Sequence, residues 1–158
     1  KSLQRELIGT KRTLIKEKDM SECCIIGAGS SKYNALPNRH NFYISANLHY
    51  PDANIIFAQD DPILDKILKK RIDGFYNQPV FTTPQKYRDY KDFNRCYMFD
   101  YRHFYNTGSL SSGLNAVVLA QFLGFTHIYL AGFDFTEKKK DYSVDFETIK
   151  GDVKYTFL

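Results

Sequence analysis

The sequence predicts an α/β fold: a Rossmann-like open, mostly parallel sheet with helices on both faces. Three observations predict it. The segment 127–131 (HIYLA) is apolar with no polar alternation, as a strand covered on both faces must be. Such strands alternate along the chain with helical stretches, and the helix from 112 to about 123 is apolar nearly all round, which places it in an interior. The predicted strands end in glycines and small polar residues, above all in the run Gly27, Ala28, Gly29, Ser30 and Ser31.

In chain order, residues 2–18 read as an amphipathic helix, with Leu3, Leu7, Leu14 and Ile15 on one face. Residues 23–27 (CCIIG) form a first strand that runs into the glycine loop. Residues 42–46 form a second, ending at Asn47, and residues 54–58 a third, ending at Gln59, Asp60 and Asp61. Asp61 and Pro62 open a helix as N-cap and first helical residue. Its stripe is Ile63, Leu64, Ile67, Leu68 and Ile72, lysines load its outer face, and Gly74 ends it. The stretch 75–110 is irregular and rich in tyrosine. Residues 80–82 and 96–99 are short strand candidates, 84–91 a short helix, and the whole stretch a candidate lid over the strand ends. Ser111 or Ser112 caps the apolar helix and Gly124 closes it. The last residues, 153–158, look like a strand cut short.

At 158 residues the chain fits one domain. Its net charge of +4 is carried by the first 18 residues, which hold six basic and two acidic side chains. The rest is neutral and shows no basic stripe, which argues against a nucleic-acid partner. The basic N-terminal helix is a candidate contact for an anionic membrane surface or an acidic partner, beside the plainer reading of a solvated face. Cys23 and Cys24 are adjacent in a strand and face opposite ways; with Cys96 they read as reduced, buried thiols of a cytoplasmic protein. No apolar run is long enough to span a membrane, and no metal-ligand spacing is present.

Ligands of open parallel sheets bind beyond the carboxyl ends of the strands. Here those ends offer residues 27–31, Asn47, Asp60, Asp61, Gly132 and Asp134, each of which also serves as a turn or cap. The glycine loop departs from the dinucleotide fingerprint, with Lys32 at its third small position and Asn47 where an acidic residue should bind ribose, so NAD binding is disfavoured. Ser111, Ser112 and Gly113 at a helix start suit an anion, or merely cap the helix.

The segment 26–31 (IGAGSS), the strand ending in Asn47, the pair Asp61 and Pro62, and the run 110–135 (LSSGLNAVVLAQFLGFTHIYLAGFDF) together resemble the bacterial sialyltransferases of glycosyltransferase family 42. They also resemble the 6-hydroxymethylpterin pyrophosphokinase-like proteins. The first resemblance implies a CMP-sugar donor, a glycan acceptor and no metal. It implies that residues 27–31 and Asn47 hold nucleotide and phosphate, that Ser112 and Gly113 line the donor site, and that Asp134 faces the nucleoside. Of two tyrosines that steady the departing phosphate, one position is Thr136 here and the other is Tyr142. The arginine the family carries before its Ser-Gly pair is replaced by Ser109. Its general-base histidine has no counterpart after Tyr142 among His40, His49, His103 and His127. The chain is then incomplete, or recruits a base elsewhere with His49 best placed, or binds without catalysing. The second resemblance implies an ATP-dependent transferase with Mg²⁺ on carboxylates such as Asp60, Asp61 or Asp134.

Overall fold

A computed structural model describes residues 21–35, 39–48, 50–70, 78–133 and 142–158. The predicted helix over 2–18 lies outside them, as do Ile72 and Gly74. Seven strands are described: β1 (Glu22–Ile26), β2 (Tyr43–Ala46), β3 (Ile55–Phe57), β4 (Val80–Thr82), β5 (Cys96–Met98), β6 (His127–Ala131) and β7 (Lys154–Phe157). They form one sheet in the order β5-β4-β3-β2-β1-β6-β7, and every neighbouring pair is parallel. The helices described are α1 (Asp61–Lys70), α2 (Pro84–Tyr90), α3 (Ser112–Phe122) and α4 (Tyr142–Ile149), with 3-10 turns at Ser30–Asn34 and Tyr101–His103.

Strand side chains alternate between two cores. Cys23, Ile25, Ile44, Phe57, Phe81, Ile128 and Leu130 face α3 and α4. Cys24, Ile26, Tyr43 and Ala131 face the other way, as do Ile56, Val80 and Cys96, which pack under Leu64, Ile67 and Leu68 of α1 and Tyr90 of α2. The adjacent cysteines therefore serve opposite faces, and all three cysteines are buried and outside any disulfide. In α3 every residue from Leu114 to Ala120 is buried, because the helix lies on β1, β2 and β3 with α4 against its outer side. A helix wetted on neither side gains from apolar residues all round.

Local signals differ from expectation in two places. Parallel neighbours usually need a crossover of a dozen residues or more. β2 reaches β3 through residues 47–54 alone, because these strands are only four and three residues long and the return path is short. α1 begins at Asp61, but the amides of Ile63 and Leu64 both donate to the Asp60 carbonyl, at 3.1 and 2.9 Å, so Asp60 holds the cap position. Asp61 turns its carboxylate toward α2 instead. Within the stretch set out as a candidate lid, β4 and β5 lie at one edge of the sheet and α2 connects them, while residues 99–110 run from the end of β4, where the Phe99 amide donates to Thr82, to the end of β3, where Gln59 donates to Leu110.

Candidate functional site

The sheet order reverses between β1 and β6, because β2 follows on one side and β7 on the other. The carboxyl ends of these two strands therefore form the switch point, where open parallel sheets take their ligands. The chain leaves through Gly27 and Gly132, and the two exits are tied together. The Gly27 amide donates to the Ala131 carbonyl at 2.7 Å, the Gly29 amide to the Gly132 carbonyl at 3.0 Å, and the Gly132 amide to Ser31 Oγ at 2.9 Å. Of residues 27–31, the Gly29 N–H is thus spent on Gly132, just past β6, while Ala28 and Ser30 remain exposed. The loop continues into a five-residue 3-10 helix rather than an α-helix, with no side-chain cap at Gly29.

The glycines serve close packing. A Cβ on Gly27 would stand 2.9 Å from the Gly132 carbonyl oxygen, and one on Gly113 would stand 2.9 Å from the Phe133 ring. Phe133 thereby bridges the switch point to the start of α3. That start lies on the same edge of the sheet. Ser111 is its N-cap, with Oγ accepting from the Leu114 amide at 3.3 Å. Ser112 is buried, and α3 points the positive end of its dipole and its first amides at the rim.

The rim continues along the other strand ends. Asn47 takes a left-handed backbone, φ 55°, and its Nδ2 donates to the Asp60 carboxylate. Among the described residues its buried Oδ1 has no hydrogen-bond partner. Gln59, at the end of β3, donates to the Leu110 carbonyl at 3.3 Å and accepts from Asn115 Nδ2 at 3.1 Å. Asn115 Nδ2 also lies 3.2 Å from the carbonyls of Leu110 and Ser111. This amide pair fastens the 99–110 crossing to both β3 and α3. Beyond it opens a cavity of about 280 Å³ lined by Gln59, Thr83, Lys86, Arg102, Ser109 and Asn115 among others.

Two ion pairs stand at this cavity. Asp100 accepts from the Arg102 amide at 3.0 Å and from its Nε and Nη2 at 2.8 Å each. The guanidinium holds the Asp100 carboxyl below its ordinary range. Lys86 Nζ donates to Asp61 Oδ1 at 3.0 Å, and that bond holds the Asp61 carboxyl down as well. The Tyr90 hydroxyl reaches Asp61 at 3.3 Å and Asp65 at 2.8 Å; burial first, and then these carboxylates, push its pKa up.

The structure thus brings Gly27, Ala28, Gly29, Ser30, Ser31, Asn47, Ser111, Ser112, Gly113 and Gly132 to one edge of the sheet. Asp61 begins α1 at that edge with its carboxylate engaged by α2. His49, Asp134 and Thr136 lie outside the described residues. Tyr142 opens α4, and its side chain lies outside them too. His40 and His127 sit at the opposite, amino edge, where both rings pack on Tyr129 and His127 Nε2 meets Thr156 Oγ1 at 2.8 Å. Neither is available to chemistry at the rim. Sequence reasoning did not find Gln59, Thr83, Asp100, Arg102 and Asn115 as site residues. The one local signal was Asn115, an amide within the apolar run 114–120. Among the described residues no three His, Cys, Asp or Glu side chains gather where they could hold a metal; Asp134, one of the carboxylates named for Mg²⁺, lies outside them.

The class defined here is an open, all-parallel α/β fold with its polar rim at a Rossmann-like switch point. No family model and no curated protein matches the chain. Solved structures do share its fold. The sialyltransferase CstII from Campylobacter jejuni, in complex with CMP-3FNeuAc, superposes with a TM-score of 0.58 at 18% identity, over 87% of this chain and 79% of that one. CST-II in complex with a trisaccharide acceptor and CMP gives 0.59 at 17% identity, over 87% and 80%. The monofunctional α-2,3-sialyltransferase Cst-I from Campylobacter jejuni gives 0.52 at 20% identity, over 78% and 59%. These likenesses establish a common fold.

Proposed function

We propose that this domain binds a nucleotide-activated sugar, a CMP-linked acidic sugar, at the carboxyl edge of its sheet and transfers that sugar to a glycan acceptor. The observation that carries the reading is the fold shared over 87% of the chain with a sialyltransferase bound to a CMP-sugar analogue. The rim supports it chemically. A nucleotide phosphate needs donors that are already oriented, and the exposed turn at Ala28 and Ser30 and the first amides of α3 supply them at one edge. Asn47 adds an amide fixed by Asp60. Tyr142, at the start of the helix that follows β6, is assigned the phenol that donates to the phosphate as negative charge develops on it. His49, just past Asn47, is the assigned proton acceptor for the acceptor hydroxyl. The reading requires no metal.

Calorimetric titration of the whole protein with CMP, a CMP-linked acidic sugar, and ATP tests it, each with Mg²⁺ and with a chelator. The reading expects both cytidine ligands to bind equally well under the two conditions and ATP to bind poorly. Tight, Mg²⁺-dependent ATP binding without CMP binding would overturn it. Donor binding without transfer to any acceptor would leave a binding module.

A further inference from the structure

In Rossmann-type sites the ribose of a nucleotide is read by a carboxylate about 20 residues past the glycine turn, at the end of the second strand. Here the end of β2 carries Asn47, which has no charge to offer. The next strand, β3, supplies a carboxylate to the same place. Asn47 is held twice over. Its backbone amide donates to the Phe57 carbonyl at the end of β3, at 2.7 Å, and its Nδ2 donates to the Asp60 carboxylate. A carboxylate only accepts, so the second bond also fixes which way the amide lies. Nδ2 faces Asp60, and Oδ1 is buried without a hydrogen-bond partner among the described residues. Leaving a buried amide oxygen without a partner costs stability that a purely structural pair need not incur.

Asn47 therefore presents no acceptor to the rim, and Asp60 does. Asp60 is exposed, Asn47 engages its Oδ2, and among the described residues its Oδ1 makes no hydrogen bond. Its main chain is fixed independently of its side chain. The Asp60 carbonyl accepts from the amides of Ile63 and Leu64 at 3.1 and 2.9 Å, at the start of α1, where the helix dipole favours an anion. The neighbouring acid is not equivalent: Asp61 Oδ1 is engaged by Lys86 Nζ at 3.0 Å and by the Tyr90 hydroxyl at 3.3 Å. One carboxylate oxygen steadied by an amide and the other open suits a sugar hydroxyl, which donates to an acceptor held in place.

We infer that Asp60 reads the ribose of the bound nucleotide, accepting from a ribose hydroxyl through the carboxylate oxygen that Asn47 leaves open, with Asn47 as its positioning residue. The inference rests on nucleotide binding at the switch point as proposed above. It rests neither on cytidine nor on sugar transfer, because every ribonucleotide carries the same hydroxyls.

Calorimetric titration of the intact protein tests it, comparing CMP and ATP each with its 2′-deoxy and 3′-deoxy forms, with Mg²⁺ and with a chelator. For whichever nucleotide binds, the ribose form should bind about tenfold more tightly than at least one deoxy form, the size of one charge-assisted hydrogen bond. Asp60→Ala should abolish that preference by weakening the ribose form alone; the retained affinity for the deoxy form reports that the variant is folded. Asp60→Asn, which keeps the shape without the charge, should retain only part of the preference. Asn47→Gly keeps the left-handed backbone and removes the amide, and it should shrink the preference, a ratio that a general loss of binding would not move. No ribose preference in the unaltered protein, or one that survives both Asp60 variants, overturns the inference and leaves CMP binding standing. A loss that appears only with Mg²⁺ and falls equally on ribose and deoxy forms also overturns it, by making Asp60 a metal ligand. An Asp60-dependent ribose preference on ATP without CMP binding upholds it and removes the cytidine reading. Binding of no nucleotide removes both.

Discussion

The carbonyl oxygen of Gly27 lies 2.5 Å from the position a Cβ would occupy on Gly132, and Gly132 holds a φ of +79°. The exits of β1 and β6 therefore cross with no room for a side chain, in a backbone conformation that L-residues avoid. Gly132→Ala should lose about 2–4 kcal/mol, the sum of left-handed strain and a backbone clash that cannot relax. Gly108, whose Cβ would meet nothing within 4 Å, provides the control. Gly108→Ala should be neutral or stabilising, by up to about 1 kcal/mol through the unfolded chain. Urea denaturation of both variants checks the contrast, and equal losses would show that the crossing is not as close as described.

Gly113 and Phe133 form a second close pair, with the ring 2.9 Å from the missing Cβ. Gly113→Ala should destabilise by about 1–3 kcal/mol through overpacking. Combined with Phe133→Leu, which vacates that space, the loss should shrink. A double-mutant cycle should therefore return a coupling of about 1 kcal/mol or more; strict additivity would mean that the ring does not rest on the glycine.

Asn115 is 1% exposed, and its Nδ2 serves Gln59 and two carbonyls. Asn115→Leu leaves Gln59 Oε1 without its donor, while the Leu110 carbonyl keeps Gln59 Nε2 and the Ser111 carbonyl keeps the backbone amide of residue 115. It should cost about 1–3 kcal/mol and should also free the 99–110 crossing, raising amide exchange there more than in β6. A uniform rise in exchange across the sheet would point to general destabilisation instead.

Two groups give pH-dependent readouts. Asp100 is held below its ordinary value of 3.8 by Arg102, so the stability their pairing adds is complete above that value and is lost as pH falls below it. Arg102→Gln should bring the Asp100 carboxyl back toward 3.8 in an NMR titration. Burial, aided by the charge of Glu22, pushes the Cys24 thiol from 9.0 up to about 12. Its contribution is complete below 9.0 and fades as pH rises toward 12. At pH near neutral Cys24 should resist alkylation until the protein unfolds; rapid native labelling would contradict its burial.

The sheet was legible because its strands announce themselves locally. The strands β1, β2, β3 and β6 are runs of apolar residues ending in Gly27, Asn47, Gln59 and Gly132. Short β4 and β5 stood out less, yet the apolar positions within 80–82 and 96–99 sufficed. The switch-point glycines and Asn47 were legible as strand ends, though not their purpose. That the Gly29 amide is spent on Gly132 depends on a partner more than a hundred residues away, which no local pattern contains. The cavity was hidden for the same reason. Gln59, Thr83, Arg102 and Asn115 come from four elements, and each alone looks like an ordinary polar residue. Asp61 was read as a cap from its place before Pro62, whereas Lys86 and Tyr90 draw its carboxylate away and Asp60 takes the cap position.

The site proposed for a cytidine nucleotide is the β1–β6 switch point. The most direct measurement is amide NMR of the isotopically labelled protein titrated with CMP. Binding there should give saturable shifts concentrated at Ala28, Ser30, Asn47, Ser112 and Gly113, with His40 and His127 at the amino edge unmoved. Saturation with shifts centred on the amino edge, or no shifts at millimolar CMP, would contradict it.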